Sequence, residues 1–422
     1  MNEIHRLQAL GAGIPEILLP NSGLDLSKWA VIACDQFTQD LNYWEQVKNT
    51  VGNSPSCLNL IFPEVYLETE ASDARETRIR NIRASMDACL KGELFAPGRR
   101  CCVYLERSTA WHPKRRGIVL SVDLEQYDWA PESRPLIRST EGTVKERLPS
   151  RIEIRRDAPL ELPHVLLLID DEKDTLLPSL GEIARKRAPL YETALMMNSG
   201  SVSGWALDTE EAWALLADGL ETLAAKAGGN SPGESPFLFA VGDGNHSLAT
   251  AKAVWEEYKQ THAGEAGLEK HPARWALVEV ENLYDPGISF EPIHRLVFGI
   301  RPQELLEALS ALTKLRCRLE ESDRIIRIEC LSSEIATASL QPLLDSLVKE
   351  QGLSIDYIHG EDEVLRLASD QARTAVGLIL PPIKKDGFFK TIAQNGPLPR
   401  KSFSMGESWE KRFYLECRRL FS

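Results

Sequence analysis

The run Gly242-Asp243-Gly244-Asn245-His246-Ser247 brings together the residue types a phosphate site needs. It follows an apolar stretch, Phe237–Val241, and opens an amphipathic one, His246–Gln260. In the latter, Leu248, Ala251, Val254, Trp255 and Tyr258 recur at helical spacing. A strand that ends in glycines and opens a helix lets backbone N–H groups approach a ligand. The first turn of the helix adds unpaired donors and the positive end of the dipole. Asp243 offers the carboxylate oxygen that Mg²⁺ takes alongside nucleotide phosphates. His246 is a candidate acid, base or phosphate donor. The same letters have a plainer reading: Asp-Gly is a standard tight turn, and Asn245 an ordinary helix N-cap.

The elements that must hold this turn alternate along the chain. Strand-like runs are Trp29–Ala33, Cys101–Leu105, Gly117–Val122, Val165–Ile169, Phe237–Val241 and Arg274–Val280. Helical periods lie between them, over Asn42–Val51, Glu70–Leu90, Leu177–Lys186 and Thr209–Lys226. Thr143–Arg155 is polar and arginine-rich, ambiguous between helix and loop. Past His294 the alternation resumes, with helical stretches at Pro302–Thr313, Leu340–Glu350 and Glu363–Ala368. Strands are expected there at Arg324–Cys330, Ile355–His359 and Ala375–Leu380. This pattern predicts a mixed α/β sheet protein whose strand order cannot be read from the sequence. The expected division is a core over 1–300 carrying the turn, with a loop-rich break at 228–236. A C-terminal α/β subdomain over 301–422 would return a basic segment toward it.

Bulk composition narrows the classes of function. The chain has 422 residues, 43% hydrophobic and 26% charged, which is ordinary globular usage. No apolar run approaches the roughly 20 residues that cross a bilayer, and the N-terminus carries no apolar signal core. The eight cysteines are scattered without zinc-ligand spacing, so buried thiols in a reducing cytoplasm are expected. A net charge of −13 argues against nucleic acid as the partner. Two basic segments stand out locally, His112–Arg116 and Arg147–Arg156. They read either as solvated faces or as the cationic side of an anionic small-molecule site.

Several segments, in order, resemble the family named domain of unknown function 1015. FLFAVGDGNHSLATAKAVW is similar to its Ala-Asp-Gly-His-His-Arg segment. GIVLSVDLEQY at Gly117–Tyr127 and IRSTEGTVKERLPSR at Ile137–Arg151 resemble two further stretches. ALVEVENLYDPGISFEPIHR at Ala276–Arg295 resembles the run ending in Pro-x-His-Arg, and PRKSF at Pro399–Phe403 a basic element near the end. The chain departs from the family where Asn245-His246-Ser247 stands for His-His-Arg, losing an arginine, and where Thr140-Glu141 stands for His-Glu. The Asp-Gly-His-His-Arg pattern is in turn similar to the phosphate-binding motif of the ParB and sulfiredoxin superfamily, which includes free-serine kinases. That likeness implies Glu141 as the carboxylate that orients or deprotonates a hydroxyl, with Asp243 and His246 beside it. It implies Asp243 as the Mg²⁺ ligand. Gly242, Gly244, Asn245, Ser247, Arg138, Thr143 and Arg147 would hold the nucleotide, ATP or ADP.

Asp35 at a strand end, His294-Arg295 after a proline, and Arg400-Lys401-Ser402 are lesser candidates. P-loop and zinc-protease motifs are absent. The expectation is a cytoplasmic, Mg²⁺- and nucleotide-dependent phosphotransferase acting on a small hydroxylated metabolite such as serine. The competing expectation is a non-catalytic protein that binds a nucleotide or phosphometabolite and regulates a partner.

Overall fold

The computed structural model describes residues 2–130, 132–228, 235–320, 324–330, 333–369, 375–399 and 401–421. Most of the expected 228–236 break therefore lies outside the described residues, as does Arg400. The chain forms two compact units. One comprises residues 1–139, 143–288 and 408–422; the other comprises 140–142 and 289–407.

The first unit is built on a mixed sheet. Its strands are β1 (Ala12–Gly13), β3 (Cys102–Ser108), β4 (Arg115–Asp123), β5 (Tyr127–Asp128), β6 (Ile137–Ser139) and β7 (Leu166–Ile169). They continue with β8 (Tyr191–Ala194), β9 (Ser201–Leu207), β10 (Phe239–Asp243) and β11 (Trp275–Asn282). The order across the sheet is β8-β9-β3-β4-β11-β7-β10-β6-β5, with β1 beside β4. The β11–β7, β10–β6 and β6–β5 pairs are parallel and the rest antiparallel. Both faces are buried, as the period of two requires. Along β3, Cys102 and Tyr104 enter one apolar cluster while Val103 and Leu105 enter the other. A short strand, β2 (Val31–Ile32), pairs antiparallel with β18 (Phe413–Tyr414) near the C-terminus.

The helices that matter to the site are α1 (Leu148–Arg155) and α4 (Asn245–Thr261). α2 (Leu176–Ala184) and α3 (Glu210–Ala227) pack on the sheet, and Thr209 caps α3 as its sequence invites. The ambiguous Thr143–Arg155 stretch resolves into a short 3₁₀ turn, Lys145–Arg147, leading into α1. Of the expected Trp29–Ala33 strand, Val31–Ile32 forms a paired strand. Trp29 closes a one-turn helix that Asp25 caps.

The second unit has its own sheet and its own apolar clusters. Its strands are β12 (Phe290–Phe298), β13 (Arg316–Leu319), β14 (Ile325–Glu329), β15 (Ser354–His359), β16 (Ala375–Ile379) and β17 (Phe403–Met405). The order is β13-β14-β16-β12-β15, with β17 beside the start of β12 and only β14–β16 parallel. Helices α5 (Ser333–Gln351) and α6 (Glu361–Ala368) are among those that pack with it. The fold is thus mixed α/β, as the alternation predicts.

Candidate functional site

The turn after β10 is shaped by its glycines. On the β7 side, Leu167 pairs with Val241 but Leu166 pairs with Asp243, so the register shifts and Gly242 has no partner there. Such an irregularity re-aims the residues that follow it. Gly244 then takes the left-handed conformation, φ +81°, and occupies the cap position, so Asn245 is the first helical residue and not the cap. A β-carbon on Gly244 would meet Val165 Cα and Cγ2 at 3.1 Å each. The close approach of two backbones, rather than a tight turn alone, explains the glycine.

Around this turn the first unit assembles groups that lie far apart in sequence. Lys411 Nζ is 3.2 Å from Asp243 Oδ2, and the lysine is buried. Its position follows from the strand pairing next to it: Ala33 N–H donates to the Arg412 carbonyl at 2.8 Å, in line with the β2–β18 ladder. That ladder also brings up Cys34 and Asp35, whose carboxylate Lys411 stabilises electrostatically. Tyr414 Oη receives the Cys34 N–H at 3.2 Å and is 2.7 Å from His164 Nδ1. His164 Nε2 lies 4.0 Å from Asp35 Oδ2. Glu64 N–H donates to the Cys34 carbonyl at 2.8 Å, and the Glu64 carboxylate is ion-paired with Arg151 of α1. Asp35, Glu64, Arg151, His164, Asp243 and Lys411 therefore form a single chain of contacts and fields.

The two neighbouring carboxylates are pushed apart in acidity. Burial pushes Asp35 up, but His164, the Gln36 amide, Lys411 and Arg151 outweigh it and hold the carboxyl below its usual range. Burial pushes Glu64 up as well, and the charge on Asp35 pushes it further, so Arg151 does not restore it. Paired acids driven in opposite directions are what acid–base chemistry uses.

The expected residues fall into place unevenly. Val144 N–H donates to His246 Nε2 at 3.1 Å, which fixes the neutral ring with its proton on Nδ1. His246 thereby accepts the bond that braces the 143–144 segment against α4. One residue away on either side, Thr143 Oγ1 and Asn245 Oδ1 are buried with no hydrogen-bond partner among the described residues. Leaving such a group unsatisfied costs about 1–3 kcal/mol, so both oxygens call for a ligand or water. Ser247 is half-buried in the first turn of α4. Arg147 is exposed, and its carbonyl accepts from Arg151 Nη1 at 2.7 Å.

Arg138 is buried and turned onto a loop. Its guanidinium donates to the Pro135 carbonyl at 2.9 Å and the Ser235 carbonyl at 3.0 Å, and lies 4.9 Å from the centre of the Phe237 ring. Its described bonds hold chain, not phosphate. Glu141 belongs to the second unit. There its carboxylate accepts the N–H groups of Lys401 at 3.2 Å and Ser402 at 3.0 Å, while burial raises its pKa. Sequence reasoning weighed Asp35 lightly and missed Glu64, His164 and Lys411; Arg151 appeared only as part of a basic segment. No local motif marks these residues, because pairing across some 380 positions brings them together.

Among the described residues, no three of His, Cys, Asp and Glu converge as a metal cage, and no helix is long and apolar enough to cross a membrane. All eight cysteines are unpaired.

No curated protein matches the chain. Among solved structures it is similar to a conserved hypothetical protein from Pyrococcus furiosus, with TM-score 0.35, 10% identity, and 72% of this chain and 94% of that one covered. It is also similar to a free serine kinase in complex with AMP, with TM-score 0.36, 10% identity, and coverage of 70% and 90%. A mutant free serine kinase with ADP gives 0.36, 12% identity, and coverage of 70% and 90%. At these scores the likeness carries no argument about this chain's chemistry. The family match is of another order: over residues 18–382 the chain fits the family described as protein of unknown function (DUF1015), and it belongs to that family.

Proposed function

We propose that the first unit binds a phosphate-bearing small molecule, a nucleotide such as ATP or ADP, at the N-terminus of α4 and transfers its phosphoryl group to a small hydroxylated acceptor. The observation that carries this reading is Lys411, a buried cation joining Asp243 of the turn to the Asp35 cluster. The backbone donors of the α4 first turn and the two unpartnered oxygens, Thr143 Oγ1 and Asn245 Oδ1, supply the polar contacts. Asn245 can present either its oxygen or its NH₂. His246 holds the 143–144 segment in place. Asp35, kept ionised, is the group that orients or deprotonates the acceptor hydroxyl, in place of Glu141. Asp243 is a single carboxylate, which suits Mg²⁺ shared with ligand phosphates; the ion would neutralise phosphate charge there.

The test is transfer of label from ATP and ADP to a panel of free amino acids and small polyols. Asp35→Asn is expected to lower turnover about a hundredfold while leaving nucleotide affinity nearly intact. Wild-type protein that binds nucleotide yet labels nothing on the panel would replace this reading with the regulatory one.

A further inference from the structure

The sheet of the second unit has one edge where several strands finish together. β14 and β16 run parallel and end there, β15 ends there, and β12, antiparallel to β16 and β15, begins there. The ends of sheet strands are where α/β proteins leave a crevice. A cavity of about 520 Å³ lies at this edge, within the range of small-molecule sites. Pro292, Leu380, Pro381 and Pro382 give it apolar walls, and Glu291, His294, Arg327, Glu329 and Glu361 its polar ones.

His294 makes this a built site. It is 4% exposed, and its Nδ1 accepts the Leu380 N–H at 3.1 Å. That bond leaves the proton on Nε2, which has no hydrogen-bond partner among the described residues, and His294 is one of the residues lining the cavity. Burial keeps the ring neutral. The charges are also unbalanced. Arg327 is occupied by Glu320 at 2.6 Å and by Glu361 at 3.2 Å. Glu291 and Glu329 have no ion pair among the described residues, so the cavity presents three carboxylates against one guanidinium. A ligand that satisfies both features carries a cation for the carboxylates and an acceptor for His294.

We infer that this cavity binds a free amino acid, its ammonium facing Glu291 and Glu329 and its carboxylate facing His294. The site is independent of the phosphate site assigned to the first unit. The experiment is calorimetric titration of the full chain with each of the common amino acids, with spermidine and with inorganic phosphate as further probes. At least one amino acid is expected to bind, and Glu329→Gln and His294→Ala each to weaken it by about tenfold or more. Glu329 is exposed, so E329Q keeps the test sound if H294A fails to fold. Lys411→Met, which disables the first unit's site, is expected to leave this binding unchanged. Binding of spermidine or phosphate but no amino acid would overturn the inference. So would amino-acid binding that survives E329Q, or that is lost in K411M instead.

Discussion

A single ammonium group decides the electrostatics of the first unit's site. Lys411 is buried between Asp243 and the field of Asp35, and an uncompensated carboxylate in such surroundings is costly. Lys411→Met removes that cation with little change in volume. Nucleotide binding is expected to weaken by about 1.5–3 kcal/mol, the worth of a charged hydrogen bond, read as loss of the ligand-induced rise in melting temperature. Undiminished binding would remove Lys411 from the site. At this scale the sequence was half legible. Asp243, Asn245 and His246 announce themselves because their neighbours in sequence are their neighbours in space. Lys411 and His164 do not, since nothing near either of them in sequence signals a ligand.

Helices and strands were the most legible part, because hydrophobic period is local: α3, β11 and α6 fall within a few residues of where their patterns place them. What the period cannot report is the conformation of the residue between two elements. Asn245 has the chemistry of an N-cap, yet Gly244 takes that position, in the left-handed conformation and crowded against Val165, which a β-carbon would meet at 3.1 Å. Gly244→Ala is therefore expected to cost about 1–2 kcal/mol through the left-handed backbone, to which its β-carbon's crowding against Val165 adds, and Gly244→Val more through its larger clash with Val165. Urea midpoints measure both. Equal stability of wild type and G244A would mean that the β10–α4 junction tolerates another backbone path. The other element whose role escaped the pattern is β18, two residues long, which no periodicity can announce.

At the scale of the whole chain, strand order was illegible because each long-range pair depends on loop closures that composition does not encode. The return of 408–422 to the first unit is the sharpest case. This segment carries more than β18. Arg412 is buried, ion-paired with Glu279 of β11 and with Glu416, and donates to the Pro163 carbonyl at 3.0 Å, one residue before His164. Burial pushes the Glu279 carboxyl up, but Arg412 and Arg115 outweigh it and hold it below its usual range. A depressed carboxylate stabilises the native state above its unfolded pKa, about 4.3, and that contribution is lost as pH falls through the native value. Arg412→Met reverses the sign. It leaves Glu279 buried with less compensation, so its carboxyl rises, and protonation on acidification relieves the strain instead of creating it. The variant is expected to lose about 3–5 kcal/mol at neutral pH, with the deficit narrowing toward pH 4. All nine tryptophans lie in the first unit, so their fluorescence during urea unfolding reports on it directly. A deficit that is the same at both pH values would mean that Arg412 acts through its packing and its bond to Pro163, not through the charge on Glu279.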